Sequence, residues 1–81
     1  MNVNTWKDEN YQYIKEEHST NEPDQVKRAT EAEFINHGYE IISTEIVPSK
    51  MPERGAHTVV ITARRSLNYK NDYNDNISRG R

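Results

Sequence analysis

The sequence predicts an α+β domain: one helix packed on a small antiparallel sheet of about three strands, in the order β-α-β-β. Three observations carry this expectation. A segment opened by proline and closed by glycine has helical composition, two β-branched segments follow it across a Pro/Gly loop, and an aromatic segment precedes it.

Residues 1–10, MNVNTWKDEN, offer a core little beyond Val3 and Trp6 and read as a flexible N-terminal arm. The next stretch, Tyr11 to His18, fits two templates. As a strand it sets Tyr11 and Tyr13 on one face and Ile14 on the other; as a helix starting at Thr5, with Asp8 three residues on, it would align Trp6, Asn10, Tyr13 and Glu17. The aromatic content favours the strand. Ser19-Thr20-Asn21-Glu22-Pro23-Asp24 supplies capping side chains, a proline for the first turn and acids for the positive end of the helix dipole. The helix then runs through Gln25 to His37 and stops at Gly38, a residue suited to the left-handed cap. Val26, Ala29, Ala32 and Ile35 are expected on its inward side, with Phe34 off that side and free for a second contact.

Tyr39 to Val47 is β-branched and ends at Pro48, so it reads as a strand. Ile41 and Ile42 break its alternation, which predicts either two partly covered faces or a bulge. A loop over 49–56 leads to His57–Arg65, which alternates cleanly: Val59, Ile61 and Ala63 on one face, Thr58, Val60, Thr62 and Arg64 on the other. The domain is thus expected over 11–66. Residues 67–81 are rich in Asn, Asp, Ser and Arg and predict a tail that is disordered alone or folds on binding, with Tyr69, Tyr73 and Ile77 recurring every four residues.

Composition bounds the function. Apolar residues make up 32% of 81, or about 36% with the three glycines, against roughly 45–50% in ordinary soluble domains. A core this thin usually gains stability elsewhere, and with no cysteine there are neither disulfides nor thiolate metal sites. Self-association is the expected remedy. No apolar run is long enough for a membrane span or a signal peptide, so a cytoplasmic protein without membrane contact is expected. The net charge of −2 is unevenly spread: residues 1–53 hold 11 acids and 5 bases, residues 54–81 hold 2 acids and 6 bases.

The stretch from Ala32 to Arg65, AEFINHGYEIISTEIVPS followed by HTVVITARR, resembles a recurring group of short bacterial domains of unknown function. In that group a helix ends in glycine plus an aromatic, here Gly38-Tyr39, and a strand leads into a hairpin closed by basic residues. The resemblance covers about half the chain and implies a fold; it implies no activity, because the group has none assigned.

Catalytic patterns are missing from the sequence. His18, His37 and His57 form no i,i+4 pair and no finger pattern, and His37 is placed to meet the last helix carbonyls. The serines sit in no nucleophile elbow and the three glycines are isolated. No enzyme, metal or cofactor is therefore expected. The leading expectation is a protein-binding module, an inhibitor or regulator of a host macromolecular machine of phage or mobile-element type, acting as a homo-oligomer. Its partner would meet the acidic residues Glu16, Glu17, Glu22, Asp24, Glu31 and Glu33, or the basic and aromatic set Arg64, Arg65, Tyr69, Lys70 and Tyr73; self-association would use Phe34, Ile42 and Val60. The alternative is a nucleic-acid or nucleotide binder using the basic C-terminal segment.

Overall fold

Backbone hydrogen bonding, more than hydrophobic pattern, decides how many strands this chain has. The computed structural model describes residues 2–67. Its elements are β1 (Asn2–Lys7), β2 (Tyr11–Thr20), α1 (Pro23–Asn36), β3 (Glu40–Pro48) and β4 (His57–Ser66), with a single 3-10 turn at Pro52–Arg54. The four strands form one antiparallel sheet in the order β1-β2-β4-β3. The α+β class with one helix holds, but there are four strands and the element order is β-β-α-β-β.

The fourth strand is the segment expected as an arm. Asn2–Lys7 pairs with β2 from Asn2 opposite Glu17 to Lys7 opposite Gln12. All six of its residues are exposed, so it shows no buried face for a hydrophobic pattern to reveal. Its turn is organised by Asp8, whose Oδ1 accepts the Asn10 and Tyr11 amides, both at 2.8 Å. The aromatic segment is a strand, as its composition favours, and extends through Thr20. Thr20 therefore caps no helix from the N-cap position, although its Oγ1 accepts the Glu22 amide at 2.9 Å.

The helix ends as its sequence predicts. Gly38 has φ 85°, the Tyr39 N–H donates to the Phe34 carbonyl at 2.9 Å and the Gly38 N–H to that of Ile35 at 3.0 Å. This is the paired hydrogen-bond pattern of a Schellman cap, and the Tyr39 ring completes it by lying 5.5 Å from the Phe34 ring. His37 Nδ1 donates to the Glu33 carbonyl at 2.9 Å, the carbonyl contact expected of it.

The inward face of α1 differs from the expectation. Phe34 is 5% exposed and Thr30 is buried, while Ile35 is 59% exposed and Ala29 and Ala32 face solvent. Nine residues separate Val26 from Ile35, two and a half turns at about 3.6 residues per turn, so the two cannot share a narrow stripe. Val26, Thr30 and Phe34 at four-residue spacing can. The larger ring takes the interior because it removes more apolar surface from water.

The core is correspondingly small. Val59, Ile61 and Ala63 of β4 are fully buried and meet Phe34, with Ile14, Val26, Tyr39 and Ile41 packed around them. Burying the Val59 and Ile61 side chains contributes about 1.5–3 kcal/mol each. β4 is central because both neighbours pair with it along its length, and α1 lies chiefly over β4 and β3. Of the two readings of Ile41-Ile42, the bulge is present: the β3–β4 register shifts between Ile41 and Ser43. Among the described residues no helix is long and apolar enough to cross a membrane.

Candidate interaction surfaces

Strand alternation divides the sheet into a helix-covered face and an open one. Cross-strand partners share a face, so Trp6, Tyr13, Arg64 and Glu40 form one row across the open face. The row is knit together. Trp6 and Tyr13 stack at 5.4 Å with planes 4° apart, Tyr11 tilts against Tyr13 at 6.2 Å, and the Arg64 guanidinium lies 4.0 Å from the Tyr11 ring centroid. Arg64 Nε donates to Glu40 Oε1 at 3.1 Å, and the Tyr13 hydroxyl donates to Asp8 Oδ2 at 2.7 Å. That hydroxyl, followed by the Asn10 and Tyr11 amides, holds the Asp8 carboxyl below its ordinary value. Asp8 in return raises the Tyr13 phenol, and the hydrogen bond to Glu40 raises Arg64.

Arg65 points to the other face, as alternation requires. Its Nη1 donates to the His37 carbonyl at 2.6 Å and its guanidinium lies 4.4 Å from the Tyr39 centroid, which ties the end of β4 to the C-terminus of the helix. Arg64 and Arg65 therefore form no common basic patch. Each is engaged within the fold. Tyr69, Lys70 and Tyr73 lie outside the described residues.

The six acids expected as one surface are distributed over the molecule. Glu16 faces the helix side of the sheet, 2.8 Å from His18 Nε2. Glu17 faces the open side, 3.8 Å from Lys15 Nζ. Glu22 and Asp24 sit at the exposed start of α1, and Glu33 is exposed near its end. Glu31 is occupied twice, by the Thr44 hydroxyl and by Lys27 Nζ at 3.7 Å. The contact with Thr44 fixes which side of α1 overhangs β3.

Of the residues expected in self-association, Phe34 is inside the core and presents no surface. Val60 is half-buried on the open face, in a cleft of about 380 Å³ between the sheet and the β3–β4 loop that Val47 and Met51 also line. Ile42 is exposed at the bulge of β3. It has company that sequence reasoning assigned elsewhere or passed over. Ile46 and Val47 are exposed on the same strand, and Ile35 is exposed on the helix. Ile35 stands one turn after Glu31, whose bond to Thr44 places that side of α1 toward β3. Four of the seven exposed large apolar residues, Ile35, Ile42, Ile46 and Val47, thus belong to the β3 side of the molecule. β3 is also the last strand of the sheet, with no strand on its outer side among the described residues.

No family model, curated protein or solved structure matches the chain.

Proposed function

We propose that this chain is a small, non-enzymatic, cytoplasmic protein-binding module that meets its partner through the β3 side of the domain. The carrying observation is the exposure of Ile42, Ile46 and Val47 along β3, the last strand of the sheet among the described residues, with Ile46 on the helix-covered face and Val47 on the open one. Exposed apolar side chains beside a strand edge that no described strand pairs suit another polypeptide, which can bury the first and pair the second. A role as inhibitor or regulator of a larger machine fits a chain of this size whose surface is its only asset.

Nucleic-acid binding is the weaker reading for a specific reason. Arg64 and Arg65, the two cations it draws from β4, lie on opposite faces and are held by Glu40, Tyr11, Tyr39 and the His37 carbonyl. Phosphate recruitment would have to replace these contacts.

Affinity capture from lysate of the native host, comparing the wild-type chain with Ile46→Lys, tests the proposal beside a titration with single- and double-stranded DNA and RNA at low salt. The expected result is a protein retained by the wild type and lost from the variant, with no nucleic-acid binding. Salt-dependent nucleic-acid binding that disappears in Arg64→Ala/Arg65→Ala, with no Ile46-dependent protein, would establish the alternative.

A further inference from the structure

We propose that the cleft on the open face of the sheet, at the end away from the aromatic row, binds a small amphiphilic anion, a carboxylate or phosphate head on an apolar body. The site goes beyond the protein-binding reading, with which it shares only Val47.

Strand alternation builds the floor. Asn2, Glu17 and Val60 are cross-strand partners in one row and Ser19, Thr58 and Val47 in the next, so all six side chains rise from the open face. The β3–β4 loop is the wall. The Ser49 N–H donates to the Ala56 carbonyl at 3.0 Å and the Arg54 N–H to the Met51 carbonyl at 2.9 Å, while the Ala56 N–H donates to Asn21 Oδ1 at 2.9 Å. The wall is thus tied at its base and turned on itself before a ligand arrives, which lowers the ordering cost of binding. Floor and wall bound a space of about 380 Å³, within the range of about 300–1,000 Å³ typical of small-molecule sites.

The lining selects the ligand. Val47, Met51 and Val60 offer apolar surface, and the first two are exposed; an apolar body laid on them removes that surface from water. Lys50 and Arg54 add two positive charges to the wall, and neither takes part in an ion pair among the described residues. Glu17 is the one acid among the described residues lining the cleft, and Lys15 Nζ lies 3.8 Å from it. The cleft is therefore net positive, with a lysine for point-charge attraction and an arginine whose fork matches a carboxylate or phosphate. The arginine at the other end of this face differs: Glu40 and the Tyr11 ring already engage Arg64.

Titration of the full chain with octanoate, octyl phosphate, octanol and octylamine, followed by methyl and backbone amide resonances, tests the proposal. Saturable shifts at Val47, Met51 and Val60 are expected with octanoate or octyl phosphate, the tighter of the two naming the head. Octanol should bind at least about tenfold more weakly and octylamine not at all. Trp6 at the far end of the face and Ile46 on the opposite face should stay unmoved. Lys50→Gln/Arg54→Gln, two substitutions at exposed positions, should weaken the anions more than about tenfold and leave octanol unchanged, whereas Met51→Ser should weaken both. No saturable shift with either anion, octanol or octylamine binding as tightly as the anions, or shifts centred on Trp6 instead of the cleft overturns the proposal. Each of these failures leaves Ile46-dependent capture of a protein, and with it the protein-binding function, standing.

Discussion

Gly55 sits where the β3–β4 loop touches the end of β2. Its φ is 145°, and a Cβ added there would come within 2.4 Å of the Thr20 backbone nitrogen, with no flexible side chain to give way. The neighbouring Ala56 amide bonds Asn21 Oδ1 at 2.9 Å, so the loop is held at this point from two sides. Gly55→Ala should therefore destabilise the fold by about 3 kcal/mol in urea unfolding, from backbone strain and overpacking together. Asp8 makes a different kind of local control. Its folded-state pKa lies below the ordinary 3.8 because the charged form accepts the Tyr13 hydroxyl and two amides. The stabilisation is complete above the unfolded value and is lost as pH falls through the depressed folded one. Trp6, stacked on Tyr13, reports the change. An acid titration of Trp6 fluorescence should show a transition in that window for the wild type and none for Asp8→Asn. Asp8 was readable from sequence only as part of a helix capping box; its turn and its bond to Tyr13 depend on the hairpin and were not readable.

Among the elements, the helix and β1 show why local pattern and final placement part company. The boundaries of α1 depend on Pro23, Gly38 and the residues beside them, all within one turn, and these were legible. Its rotation about its own axis depends on what lies beneath. The apolar positions of α1 spread around most of the helix, and the sheet chose the side bearing Phe34. Phe34→Ala should cost about 3–5 kcal/mol by removing the ring that spans β4 and Tyr39, whereas Ile35→Ala should leave monomer stability within about 0.5 kcal/mol, as an exposed substitution does. Chemical denaturation of the two variants at low protein concentration checks the pair, and equal costs would contradict this orientation. Phe34, expected to lie off the inward side, is taken up by the core, and Ile35 is the exposed one. β1 could not be read from hydrophobic pattern, because a strand exposed along its whole length leaves no such trace. It is held by the β2 backbone, the Asp8 turn and the Trp6–Tyr13 stack.

At the scale of the whole molecule, one face of the sheet carries the helix and the other carries an aromatic and arginine row open to solvent. Among the described residues, neighbouring charges of one sign do not gather on one surface: Glu16 and Glu17 turn to different faces, as do Arg64 and Arg65. Adjacent residues of a strand must separate in this way, so a charge cluster in a β-segment of the sequence is not a cluster in space. What the sequence by itself determined is local: the helix between Pro23 and its Gly38 cap, the broken alternation of β3 at Ile41-Ile42, the alternation of β4 that buries Val59, Ile61 and Ala63, and the lack of any disulfide, while for Tyr11–His18 it favoured the strand over the helix. These follow from φ preferences, capping chemistry and side-chain periodicity within a few residues. Only the tertiary structure decided the number of strands among the described residues, the side of α1 that faces inward, the internal engagement of both arginines and the exposure of Ile35 together with Ile42, Ile46 and Val47. Each of these sets together groups far apart in the chain, and the free energy that selects them is the burial and hydrogen bonding of the assembled pair, which neither segment carries alone.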